Sequence, residues 1–80
     1  MTVHDLLVTF YRFSNLPDAE RDTFLHQHIE LLDAVLIDTV LLQAKMREAY
    51  VQKRIASAAL YIAKKLNDTQ RQSAALQLLA

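Results

Sequence analysis

The sequence predicts an all-α fold, a small helical bundle, and three observations carry that prediction. The chain of 80 residues holds no glycine and a single proline, where average usage would place about 7% glycine. It is rich in Leu, Ala, Gln, Lys, Arg and Glu, which are good helix formers. Its apolar residues recur at three- and four-residue spacing rather than alternating. The same absences exclude functions. Phosphate-binding loops, dinucleotide fingerprints and nucleophile elbows need glycine at fixed places. With no cysteine there is no disulfide framework, zinc knuckle or thiol chemistry. Residues 1–80 form one domain at this length.

The first helix begins at Thr2, a cap residue, with Asp5 at the third helical position, where a carboxylate meets free N–H groups. Leu6, Leu7, Phe10, Tyr11 and Phe13 give it one apolar side up to about Ser14. His4, in the first turn, reads as a surface residue. Ser14-Asn15-Leu16-Pro17-Asp18 then reads as a turn. Asparagine substitutes for glycine in the left-handed position after a helix, and the only two asparagines, Asn15 and Asn67, fall where helical stripes end. Leu16 folds back on the helix it leaves, Pro17 suits the first position of the next, and Asp18 and Glu20 favour its N-terminus.

From Asp18 to Leu66 there is no proline, glycine or asparagine. Unbroken, this central helical segment would run for about 49 residues, roughly 73 Å. One apolar stripe comprises Phe24, Leu25, His28, Ile29, Leu31, Leu32, Val35 and Leu36, and continues through Leu42, Met46, Ala49 and Tyr50. A second runs from Ile37 through Leu41, Ala44, Val51, Ile55, Ala58, Ala59, Ile62 and Leu66. Residues 37–51 are therefore apolar on two sides and expected to be buried on both. Two architectures satisfy this: a straight helix whose middle is covered by a second copy, or a segment folded near residue 38, where Asp38 and Thr39 can act as caps. Both point to a homodimer. After Asn67, Thr69 and Gln72 form a capping-box pattern, opening a last helix over about 70–79 that docks through Ala75, Leu76, Leu78 and Leu79. The two short terminal helices thus pack on the central segment.

The formal net charge is zero but divided. Residues 1–40 carry seven acidic against two basic side chains, a net −5, and residues 41–80 the reverse, a net +5. That division fits acidic and basic helices lying against one another, or a nucleic-acid surface. Lys53, Arg54, Lys64 and Lys65, with Ser57 between them, form a basic strip about 17 Å long opposite the second stripe. Lys45 and Arg47 belong to the same basic half. No recognition-helix turn or aromatic–basic interleaving accompanies the strip.

Other constellations are weaker. Asp22, His26, Glu30 and Asp33 share one helical face in a spacing that divalent cations accept, yet the Glu-x-x-His pair of bundle metal sites is missing, and a solvated acidic face explains the pattern. His28 reads as a core-edge or interface histidine. His26 has acidic neighbours that repel a phosphoryl group. Ser57 and Ser73 sit among alanines with no histidine nearby in sequence. No catalytic, metal or cofactor-binding residue is assigned.

The expected function is therefore a non-enzymatic, dimeric helical interaction module: an adaptor, small chaperone or regulator that binds another protein. Its candidate interface is Leu42, Met46, Tyr50, Leu60 and Tyr61, since methionine and tyrosine surfaces suit helix-in-groove recognition. The alternative is a nucleic-acid-binding regulator using Lys53, Arg54, Lys64 and Lys65. The start lacks a secretory leader pattern, and the most apolar stretch, Leu31–Leu42, is too short to span a bilayer and contains Asp33 and Asp38. A cytoplasmic protein with no membrane association is expected.

Overall fold

The computed structural model describes residues 2–80. Among them are five α-helices: α1 (Val3–Ser14), α2 (Asp18–Gln27), α3 (Ala34–Ala44), α4 (Ala49–Lys65) and α5 (Thr69–Leu79), with a 3-10 turn at Ile29–Leu31. The all-α bundle with two terminal helices is what the sequence predicts. The central segment differs from both expected forms. It is neither straight nor folded near residue 38, but breaks twice, between Gln27 and Ala34 and between Ala44 and Ala49. The radius of gyration is 11.4 Å, close to the ~11.6 Å of a globule of this length, which leaves no room for a 73 Å helix.

Each break is made by side chains that take over the polar groups a helix end leaves free. At the first, Asp33 adopts an extended backbone and its carboxylate accepts hydrogen bonds from the N–H groups of Val35 (2.8 Å) and Leu36 (3.2 Å). Asp33, not Asp38, is therefore the cap. Asp38 and Thr39 lie inside α3. The Thr39 hydroxyl donates to the Val35 carbonyl at 2.9 Å, and the Asp38 carboxylate is engaged by Arg71. The turn also carries Leu31 to a fully buried position, with the 3-10 turn packed against α1 and α2. At the second break, the Gln52 amide donates to the Arg47 carbonyl (2.9 Å) and the Lys45 carbonyl (3.4 Å), which closes the loop without glycine.

The remaining boundaries follow local chemistry. Thr2 and Asp5 make a reciprocal capping box: the Asp5 N–H donates to the Thr2 hydroxyl and the Thr2 N–H to the Asp5 carboxylate. Asn67 has φ 55°, the left-handed position predicted for it. Around it the Asp68 N–H donates to the Ala63 carbonyl (3.0 Å) and the Asn67 N–H to the Lys64 carbonyl (3.1 Å), a complete Schellman motif. Asn15 does not take that conformation; its φ is −93°. Its side-chain amide instead donates to the Tyr11 carbonyl at 3.0 Å. Pro17 sits one residue before α2 and Asp68, rather than Thr69, caps α5 by accepting from the Arg71 N–H.

Helix α4 is the centre of the bundle and packs against α5, α3 and α1. Its inner side is small and apolar: Ala56, Ala58, Ala59 and Ala63 are fully buried between Ile55 and Ile62. Small side chains let neighbouring helix axes approach closely, and the larger Phe10, Phe13, Leu31, Ile37 and Val40 fill the space around them. The second stripe of residues 37–44 is thus covered within one chain, with Ile37, Leu41 and Ala44 turning inward beside Leu36 and Val40. Arg71 fastens α5 to α3, bonding the Asp38 carboxylate at 2.8 and 3.0 Å and the Ala34 carbonyl at 3.1 Å.

Candidate interaction surface

The core places the outer side of the α3–α4 corner in solvent. Since α3 buries Leu36, Ile37, Val40, Leu41 and Ala44, Val35 and Leu42, two turns apart, face away, and Met46 follows Leu42 one turn later. Tyr50 stands in the first turn of α4. Leu42 is 67% exposed, Met46 88% and Tyr50 62%. The second side of the doubly apolar stretch is therefore an open surface rather than a covered one.

Beside this patch, the C-terminal end of α1 and the start of α4 enclose an open groove lined by Tyr11, Asn15, Arg47, Tyr50, Val51 and Arg54. Its polar groups are held in place. The Tyr11 hydroxyl donates to the Gln43 side-chain carbonyl at 2.6 Å. Asn15, fixed through its amide to the Tyr11 carbonyl, presents its oxygen to Arg54, which donates at 2.9 Å. The Arg54 guanidinium lies 5.8 Å from the Tyr50 ring centre, within cation–π range. Among the described residues, none of Lys45, Arg47, Lys53 and Arg54 has a carboxylate within 4.0 Å.

Leu60 and Tyr61 do not belong to this surface. They sit half-buried on the far half of α4, ten residues or about 15 Å from Tyr50 along the helix. There Tyr61 belongs to a cluster with α1 and α2. Its hydroxyl donates to the Asp22 carboxylate, which also pairs with Lys65 at 2.9 Å. The Tyr61 hydroxyl and the Lys65 ammonium hold the Asp22 carboxyl below the usual carboxylate range, while Asp22 raises the Tyr61 phenol and the Lys65 ammonium. Arg21, its side chain only 8% exposed, lies 5.5 Å from the ring centres of both Phe13 and Tyr61. Its Nε has no hydrogen-bond partner, and its nearest polar contacts are long, the Ser57 hydroxyl at 3.5 Å and the Asp18 carboxylate at 3.6 Å. The aromatic faces are this cation's main company.

The predicted basic strip is divided in the same way. Lys53 and Lys64 are exposed, whereas Lys65 is held by Asp22 and Arg54 leans on Asn15 and Tyr50. The face that would align Asp22, His26, Glu30 and Asp33 is lost because α2 ends at Gln27. Asp33 caps α3, Glu30 lies 3.2 Å from the His28 ring nitrogen, and the His26 ring contacts the Asp22 carbonyl at 2.8 Å. Among the described residues no three metal-ligating side chains come together. No described helix is long and apolar enough to cross a membrane.

Comparison of the chain with protein-family models, curated proteins and solved structures gave no match. The surface therefore has to be interpreted from its own chemistry. The α1–α4 groove was not legible in the sequence: Tyr11 and Asn15 lie more than thirty residues before Arg47. What the sequence does single out are its α4-side residues, Tyr50 as an interface candidate and Arg47 and Arg54 as part of the basic half.

Proposed function

We propose that the protein is a non-enzymatic helical interaction module, an adaptor, small chaperone or regulator that binds or sequesters another protein in the cytoplasm. The observation that carries this reading is the α3–α4 corner. Leu42, Met46 and Tyr50 remain exposed there although the bundle has a filled core. Tyrosine, methionine and arginine are enriched at protein interfaces, and Met46 adapts its shape to an apolar partner at little cost. The reading includes a homodimer through a separate apolar surface at the other end of α1. Val3, Ile29 and Leu32 are exposed there around an open groove with Leu6.

The test is retention of a partner from native lysate by the wild-type chain and by the Leu42→Asp/Met46→Asp variant, alongside mass in solution. The wild type retains a defined protein that the variant loses, with circular dichroism unchanged. Equal retention by both removes the corner from the account. At micromolar concentration the wild type has twice the chain mass and Ile29→Lys the chain mass; a strictly monomeric wild type ends the dimer proposal.

A further inference from the structure

We propose that the α3–α4 corner receives an acidic amphipathic helix from a partner protein. Its apolar side chains would pack on Leu42, Met46 and Tyr50 and its carboxylates would engage Arg47 and Arg54. The inference rests on the interaction-module reading and specifies the partner of the same site.

Charge complementarity decides the occupant. The basic excess of the C-terminal half is not evenly neutralised by the fold. Lys65 is held by Asp22, and Arg71 by Asp38 and Asp68. Of the five cations of that half with no carboxylate within 4.0 Å among the described residues, four collect near the corner, Lys45, Arg47, Lys53 and Arg54, and Lys64 stands alone at the other end of α4. Glu48 is the one acidic residue between positions 45 and 54. Arg54 is oriented by a neutral amide and a tyrosine ring, neither of which removes its charge. Arg47 lines the same groove with no partner. A guanidinium offers a planar fork that fits a carboxylate with two parallel hydrogen bonds. An apolar centre rimmed by such forks matches a helix with an aliphatic stripe and acidic flanks.

A second copy of the chain is poorly equipped to fill the site. Asp5 and Asp33 cap helices, and Asp22, Asp38 and Asp68 are in ion pairs. Apart from Glu48, which lies in the corner itself, these leave Glu20, an Asp18 at 3.6 Å from Arg21 and a Glu30 beside His28. Nucleic acid fits less well for a different reason. A phosphate backbone uses the cations but leaves exposed Leu42 and Met46 in water.

The experiment is fluorescence anisotropy with three labelled probes. They are a synthetic amphipathic helical peptide with a leucine stripe flanked by glutamates, the same peptide with lysines for glutamates, and a short duplex DNA. The acidic peptide binds saturably and weakens as salt rises, the lysine peptide does not bind, and Arg47→Glu weakens the acidic peptide by about tenfold. The Arg47 guanidinium has no hydrogen-bond or ion-pair partner among the described residues, so this variant tests binding without disturbing the bundle; Leu42→Asp weakens binding through the apolar centre. Binding of both peptides equally, abolished by Leu42→Asp, overturns the acidic partner while the interaction-module reading stands. DNA that displaces the acidic peptide overturns it in favour of nucleic acid. Dimerisation abolished by Leu42→Asp overturns it in favour of a second copy. Failure of every probe, with no self-association, overturns both the inference and the reading beneath it.

Discussion

Arg21 shows how a single residue can be held without an ion pair of good geometry. Its guanidinium lies between Phe13 and Tyr61, with Nε unpartnered and Asp18 at 3.6 Å. A cation desolvated to this degree gains little from a long, exposed carboxylate contact. Arg21→Met, which keeps the packing volume and removes the charge, is therefore expected to leave the stability unchanged or raise it by up to about 1 kcal/mol. Arg21→Ala, which removes the packing on both rings, is expected to cost about 1–2 kcal/mol. Urea denaturation of the two variants checks this; a large loss in Arg21→Met would show that the charge itself stabilises the fold. Asp22 sets a pH dependence at the same cluster. Its folded pKa lies below the ordinary 3.8, so the stability it contributes is present above that value and is lost as pH falls through the lowered one. Asp5 and Asp68, lowered by their cap and arginine hydrogen bonds, act in the same direction. The urea midpoint is expected to fall below about pH 4, and less steeply in Asp22→Asn than in the wild type.

At the scale of elements, a boundary is legible where its cap residue stands at the end of an apolar stripe and not where it stands inside one. Thr2 and Asn67 lie at such ends, the first closing a box with Asp5 and the second a left-handed turn. Asn67 holds φ 55°, which costs a β-carbon-bearing residue roughly 1–2 kcal/mol. Asn67→Ala is expected to lose about 1 kcal/mol and Asn67→Gly to lose none or gain slightly. Asp33→Ala removes the α3 cap and should cost about 1 kcal/mol. Equal stability of Asp33→Ala and wild type in thermal melts would place the cap elsewhere. The two breaks in the central segment were not legible, because no helix-breaking residue marks them. The spacing puts Asp33 on an acidic helical face, and Gln52 reaches back seven residues to the Lys45 carbonyl. Helical spacing describes a face only while the helix continues. Once the chain turns at His28, the stripe from Phe24 to Tyr50 is divided among three α-helices and the 3-10 turn.

At the scale of the molecule, two readings of one pattern separate. Residues 37–51 are apolar on two sides, and the sequence expects both to be buried, with a second copy covering what the chain's own helices do not. The bundle covers one side with its own helices and leaves the other exposed at Leu42, Met46 and Tyr50. That the three share one side of the chain was legible in their four-residue spacing; that the side is open was not, because it depends on which helices the two breaks bring against α3. Tyr61 lies apart from the three because the groups that hold it, Arg21 and Asp22, arrive from α2, more than thirty residues away in sequence. The divided charge is explained in the same terms. Helix-bridging pairs such as Asp22–Lys65 and Asp38–Arg71 account for part of it, and most of the uncompensated remainder, Lys64 excepted, lies beside the exposed apolar patch.

The central claim, that the α3–α4 corner is where this protein meets its partner, is tested most directly by a photo-crosslinking amino acid at position 46. The same amino acid at position 4, an exposed site on α1, serves as the control in cells that produce the protein. The account predicts one defined crosslinked product from position 46 that position 4 does not give and that Leu42→Asp abolishes. No product from position 46, or the same products from both positions, would contradict it.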